Sequence, residues 1–160
     1  MKYCIDSCCL IDLGERHYPE HLAIFKPIWI KLYEGIDKRE IISVDAVEVE
    51  VNSRADEWRE AFMAKSRHMF HISQDIEVEF AAVIAEIESN SNFSINSHRK
   101  RFMSKADPWL IALARAQGDE ATIVTSENKN LSQYGLRPVC DQLGVRNLNL
   151  LEFFQEYKIS

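Results

Sequence analysis

Apolar positions along the chain fall into two rhythms. Short unbroken runs stand at Tyr3-Cys4-Ile5, Ile41-Ile42-Ser43-Val44, Ala121-Thr122-Ile123-Val124-Thr125 and Val145 to Leu148. Runs of this length without polar alternation read as strands buried on both faces. Between them the spacing is helical. Leu10, Ile11 and Leu13 form a first helix that should stop at Gly14. Pro27 opens a second one carrying Ile28, Trp29, Leu32 and Tyr33, with Gly35 near its end. Asp45 is the predicted N-cap of a helix with Val47, Glu48, Glu50 and Val51. Trp58, Phe62 and Met63 lie on a polar helical stretch. Ile76 to Ile87 is amphipathic and ends in the loop composition Glu88-Ser89-Asn90-Ser91-Asn92. Trp109-Leu110-Ile111-Ala112-Leu113-Ala114 is apolar nearly all round, the mark of a buried helix, with its end at Gly118. After a loop from Ser126 to Gly135, Val139 to Leu143 and Leu151 to Tyr157 read as short helices.

Strands alternating with helices predict an α/β fold whose parallel sheet is covered on both faces. A length of 160 residues predicts one domain, 1–160, large enough for an ordinary core. The net charge of −6 argues against a protein that coats nucleic acid or membrane by bulk charge. No apolar run approaches the ~18 residues of a membrane span, and Asp6 falls where a signal peptide would be apolar. A cytoplasmic protein is expected. Cys4, Cys8, Cys9 and Cys140 match no zinc spacing and read as reduced, structural thiols.

The informative residues are the acids. Asp6 ends the first strand, Glu48 and Glu50 follow the second, Asp107 opens the buried helix, and Glu127 lies just beyond the third strand. In a parallel sheet these positions converge on the carboxyl edge, where α/β proteins bind ligands. Packed carboxylates repel one another and take up protons unless a cation joins them. Mg²⁺ takes oxygen ligands, with one or two direct carboxylates, so such a cluster suits a hard metal that promotes phosphodiester hydrolysis.

At this point the chain resembles the PIN domain family of nucleases, which includes many toxins of bacterial toxin–antitoxin pairs. The likeness is carried by Ile5-Asp6-Ser7, by Val47-Glu48-Val49-Glu50-Val51, by Ala106-Asp107-Pro108-Trp109-Leu110-Ile111-Ala112, and by Ile123-Val124-Thr125-Ser126-Glu127. Leu136-Arg137-Pro138-Val139-Cys140 with Leu143-Gly144-Val145 is similar to an uncharacterised bacterial branch of that family. The motifs span most of the chain in the family's order. The resemblance implies a three-layer α/β/α fold with a mostly parallel sheet of four or five strands. It implies Mg²⁺- or Mn²⁺-dependent cleavage of RNA by Asp6, Glu50, Asp107 and Glu127, which would hold the metal. It gives Thr125 and Ser7 supporting roles, and a possible antitoxin partner and a homodimer. The family pattern selects Glu50 as the second acid. Helical periodicity leaves Glu48 open, since both flank the Val44/Val47/Val51 stripe at similar angles. Cys8 stands where the family usually has Asn or Ser to orient the first acid.

Each residue also has an ordinary structural role. Asp107 before Pro108 is a standard helix start, Asp6 a turn residue, Glu48 and Glu50 solvated helix positions, and Glu127 a loop residue. Only their joint placement favours the metal. The one dense basic patch, His98-Arg99-Lys100-Arg101 with Lys105, is either a solvated helix face or a strip that positions RNA phosphates, with Arg99, Lys100, Arg101 and Lys105 as its cations. Phe102 and Trp109 are candidates for base stacking, Trp109 more plausibly for the core. Two other classes compete: a PIN-like module that binds RNA or protein with weak or no catalysis, and a phosphatase or phosphoacceptor domain. The last fits poorly, because Cys8 stands where a haloacid-type phosphatase needs its second Asp.

Overall fold

The computed structural model describes residues 1–54, 57–127 and 134–159. Its centre is a five-stranded, all-parallel sheet in the order β3-β2-β1-β4-β5. The strands are β1 (Lys2–Ile5), β2 (Ile41–Val44), β3 (Phe70–His71), β4 (Ala121–Val124) and β5 (Asn147–Leu148). β2 and β4 are buried at every position, which explains their unalternating apolar sequence. Helices cover both faces and complete a three-layer α/β/α arrangement. Among the described residues, no helix is long and apolar enough to cross a membrane.

The helices are α1 (Ser7–Ile11), α2 (Lys26–Asp37), α3 (Asp45–Arg54), α4 (Trp58–Ser66), α5 (Glu77–Ser89), α6 (Asn96–Met103), α7 (Asp107–Ala116), α8 (Leu136–Gln142) and α9 (Leu150–Tyr157). α7 is the buried helix foreseen from its all-round apolar sequence; Leu110, Ile111, Ala112 and Leu113 are fully inaccessible. It packs on β1, β2 and β4, with α5 outside it. Tyr3 turns to the other face, edge-on to Phe153 and Tyr157 of α9, at 5.0 and 5.4 Å.

Several expectations are corrected. The first helix does not stop at Gly14 but continues as a π-helical segment, Asp12–His17. Gly14 serves a close approach rather than a stop: a Cβ there would lie 2.1 Å from the Trp58 ring. Asp45 does not cap α3 with its side chain. Its carboxylate accepts from the Ser73 amide and hydroxyl, at 3.1 and 3.2 Å. β3, only two residues long, was not foreseen, and α6 answers to the helix-face reading of His98-Arg99-Lys100-Arg101. The residues 128–133 of the expected loop lie outside the described ones.

The order of strands places a topological switch between β1 and β4. From β1 the chain moves outward to β2 and β3, then returns to the other side for β4 and β5. Crevices at such points, outside the carboxyl ends of the strands, are where ligands bind in open parallel sheets.

Candidate active site

Ile5 pairs in register with Val124. The residues that follow them, Asp6 and Thr125, therefore leave the sheet side by side at the switch. The Thr125 hydroxyl donates to Asp6 Oδ2 at 2.9 Å, and itself accepts the Glu127 amide at 3.2 Å. The Asp6 amide donates to the Val124 carbonyl at 3.0 Å, so the backbone is fixed as well. Asp6 is 2% exposed and Thr125 fully buried.

α3 begins directly after β2, and this brings Glu50 back over the start of α1. Its Oε2 accepts the Ser7 hydroxyl at 2.5 Å, and its Oε1 accepts the Ala106 amide at 3.1 Å. The Ser7 hydroxyl also lies 3.4 Å from Asp6 Oδ1. The choice left open by periodicity is resolved here. Glu48 projects elsewhere and pairs with Arg67, Oε1 to Nε 3.2 Å.

α7 precedes a strand that runs parallel to β1, so its N-terminus lies at the carboxyl edge of the sheet. Asp107 is its first residue, with Pro108 in the first turn. The capping role is not realised: its carboxylate makes no side-chain hydrogen bond to the helix amides. Among the described residues it has no hydrogen-bond donor and no ion-pair partner, although it is 6% exposed. Glu127 is held by the Leu136 amide, which donates to Oε2 at 2.7 Å.

The electrostatics follow from this placement. Burial pushes the Asp6 carboxyl up to about 6; the Thr125 hydrogen bond opposes this, and the charges of Glu127 and Glu50 add to it. Burial also drives Asp107 well above the usual carboxylate range, followed by the charges of Asp6 and Glu127, with Lys105 opposing and Glu50 adding last. Asp6, Glu50, Asp107 and Glu127 thus act on one another as a single group of anions. They are not gathered as a ready cage: among the described residues, no three His, Cys, Asp or Glu side chains are arranged to hold a metal ion. Both oxygens of Glu50 and one of Glu127 are engaged by N–H or O–H donors, while among the described residues Asp107 has none.

All four cysteines are free thiols. Cys8 does not orient Asp6; Thr125 does. The Cys8 thiol is pushed up to about 11 by burial and then by the Asp6 charge, with Arg54 opposing, and the Arg54 guanidinium lies 3.7 Å from its sulfur.

The basic strip is narrower than its sequence. Arg99 turns back on the start of α6, donating to the Phe93 carbonyl at 3.4 Å and to Asn96 Oδ1 at 2.9 Å. Lys100, Arg101 and Lys105 stay exposed. Phe102 is 2% exposed and unavailable for stacking on a base. The half-buried Trp109 ring stacks on Phe80 at 3.6 Å. Two residues near the site were given no role by the sequence, although Arg137 lies in the motif Leu136-Arg137-Pro138-Val139-Cys140. Tyr134 walls the strip beside His98, and the 5% exposed Arg137 is clamped by Asn147 Oδ1 and Glu152 Oε2 at 3.0 and 3.2 Å.

No curated protein and no solved structure matches the chain. A family model matches residues 3–160, nearly its whole length, and by that match the chain belongs to the family described as Domain of unknown function (DUF4411).

Proposed function

We propose that the chain is a divalent-metal-dependent ribonuclease, the activity implied by its likeness to PIN domains. One observation carries the reading. Asp6 and Asp107 are both buried at the strand switch, act on each other electrostatically, and have no ion-pair partner among the described residues. Two carboxylates left without a cationic partner in low dielectric call for a proton or a metal. The donor set is all oxygen, which fits Mg²⁺ or Mn²⁺. Mg²⁺ needs only one or two direct carboxylates, so this pair suffices without a preformed cage.

In this reading Asp6 and Asp107 hold the ion, with the second Glu127 oxygen beside them. When bound there, the cation supplies positive charge against the phosphoryl oxygens and makes water nucleophilic at neutral pH. The chain's own residues supply the positioning. Thr125 fixes the Asp6 oxygen it donates to. Ser7 and the Ala106 amide fix the Glu50 carboxyl group through both of its oxygens. Without metal, the Asp6 and Asp107 carboxyls are both raised above the ordinary carboxylate range, chiefly by burial. Arg101 and Lys105 hold the RNA backbone without reading its sequence.

The test is cleavage of single-stranded RNA with Mg²⁺ or Mn²⁺, with and without EDTA. Cleavage that needs the metal and is lost in Asp6→Asn supports the reading. Cleavage that survives both treatments ends it. A second reading, an RNA-binding module without hydrolysis, is favoured by the engagement of both Glu50 oxygens in hydrogen bonds. RNA binding with no cleavage under any divalent ion selects it.

A further inference from the structure

A cavity of about 210 Å³ opens between α6 and the turn that leads into α8, lined by His98, Arg101, Phe102, Lys105, Tyr134 and Gly135. Its composition is unlike the rest of this acidic chain. Three of its six lining residues are basic and none is acidic. His98 and Arg101 stand three residues apart on one face of α6. Neither the Arg101 nor the Lys105 side chain makes a hydrogen bond or ion pair with any described residue. The floor is apolar, the 2% exposed Phe102. The wall is Tyr134, whose hydroxyl accepts the Ile95 amide at 2.9 Å and whose ring meets His98 edge-on at 5.2 Å. The cations thus converge on a shaped space rather than lying along an open face.

The cavity also abuts the acid centre through both of its walls. Lys105 is followed by Ala106, whose amide holds Glu50. Gly135 is followed by Leu136, whose amide holds Glu127. The Lys105 charge is felt at Asp107. We infer that this cavity is a subsite for a single phosphate of an RNA backbone, seated next to the bond that the acid centre would address. Its volume falls below the ~300 Å³ at which pockets begin to enclose whole drug-sized ligands, so it suits a phosphate with its water rather than a nucleoside. Convergent cations that make no direct ion pair take up an anion readily. The assignment rests on the proposed action on RNA, and it adds His98 and Tyr134 to the recognition surface while leaving Arg99 out of it.

The test reads RNA binding without catalysis. A short fluorescein-labelled single-stranded RNA is titrated in EDTA across a range of salt, and log K is plotted against log salt. Each phosphate neutralised on a single strand contributes a slope of about −0.7. Because Arg101 and Lys105 serve one phosphate, either cation alone still neutralises it, so Arg101→Ala and Lys105→Ala should each weaken binding with little change of slope, whereas the double variant should flatten the slope by about 0.7. Losses of about 0.7 in each single variant that add to about 1.4 in the double would mean an open strip and overturn the subsite. An unchanged slope in the double variant, or no RNA binding by the wild type, would also overturn it. So would displacement of the RNA by an acidic peptide that binds wild type but not the double variant, with slopes unchanged, because the cavity would then serve a protein partner. Both substitutions are at exposed positions, and a circular dichroism melt checks that the fold is kept. The nuclease reading fails separately. If the slopes behave as expected but Mn²⁺ yields no cleavage, the phosphate subsite stands alone. If the double variant cuts RNA with unchanged KM, the nuclease stands and the subsite falls.

Discussion

The two edges of the sheet treat their carboxylates in opposite ways. At the amino edge, Glu156 meets Arg146 through both oxygens, and Arg146 also reaches Thr122 Oγ1 at 2.9 Å. Tyr3 donates to Glu156 at 2.9 Å, and Tyr157 donates to Glu40 at 2.5 Å. The Arg146 hydrogen bond holds Glu156 below its ordinary range. At the carboxyl edge, Asp6 and Asp107 lie deeper, have no such partner, and are both raised. The same fold therefore contains a settled acid and an unsettled pair. Burial without compensation is costly to folding, and in the proposed reading a bound cation at the strand switch would relieve it.

The contrast is open to breaking, most strongly by activity. Asp107→Asn and Asp6→Asn should each reduce Mn²⁺-dependent RNA cleavage about 100-fold or more, since changes even behind a metal ligand cost ~10–100-fold. Single-turnover cleavage at saturating protein measures this. Arg146→Met should leave the same rate unchanged; a comparable loss there would erase the distinction between the edges.

Next in size is stability without metal. Asp6 titrates near 6 in the folded protein against 3.8 as the free group. A raised folded-state value means that its contribution is fully present below about pH 4 and is lost as pH rises through about 6. The metal-free protein should lose stability to urea across that window, and Mn²⁺ should restore it at pH 7. Asp6→Asn should stabilise the metal-free form at pH 7 by roughly 2–3 kcal/mol, with the gain vanishing near pH 4. Destabilisation by Asp6→Asn at pH 7 would show that burial of the charged carboxylate carries no such cost.

Smaller effects sharpen the other side. Arg146→Met should cost about 1 kcal/mol or less, because the pair with Glu156 is partly exposed. Glu48→Gln removes only the surface pair with Arg67. It should cost no more than ~0.5 kcal/mol and leave RNA cleavage untouched. Urea unfolding with a parallel cleavage assay reads both.

Much of this arrangement was legible before any coordinates. Unalternating runs rich in β-branched residues, such as Ile41 to Val44, read as strands buried on both faces, and the sequence of α7 is apolar nearly all round. Acids placed after parallel strands also account for the electrostatic influence of Asp6, Glu50 and Glu127 at the carboxyl edge, although among the described residues no three such side chains are arranged to hold a metal ion. What escaped was decided by tertiary contact. β3 is two residues long and exists by pairing Ser43 with Phe70 and Val44 with His71, for which a dipeptide carries no periodicity. The end of the first helix was misplaced because Gly14 makes room for Trp58, a partner more than forty residues away. Asp45 and Asp107 both looked like caps, since local rules favour that role, yet one was taken by Ser73 and the other left facing the acid centre. The engagement of Glu50 by the Ala106 amide joins segments 56 residues apart, beyond the reach of any local pattern.

The hydroxyl of Thr125 has a directional consequence. It has one proton, which goes to Asp6, so its remaining capacity is to accept, and the Glu127 amide fills it. Successive hydrogen bonds polarise one another. The segment that follows β4 can therefore tune, from a distance of two bonds, how firmly the first acid keeps its negative charge, without ever touching that carboxylate.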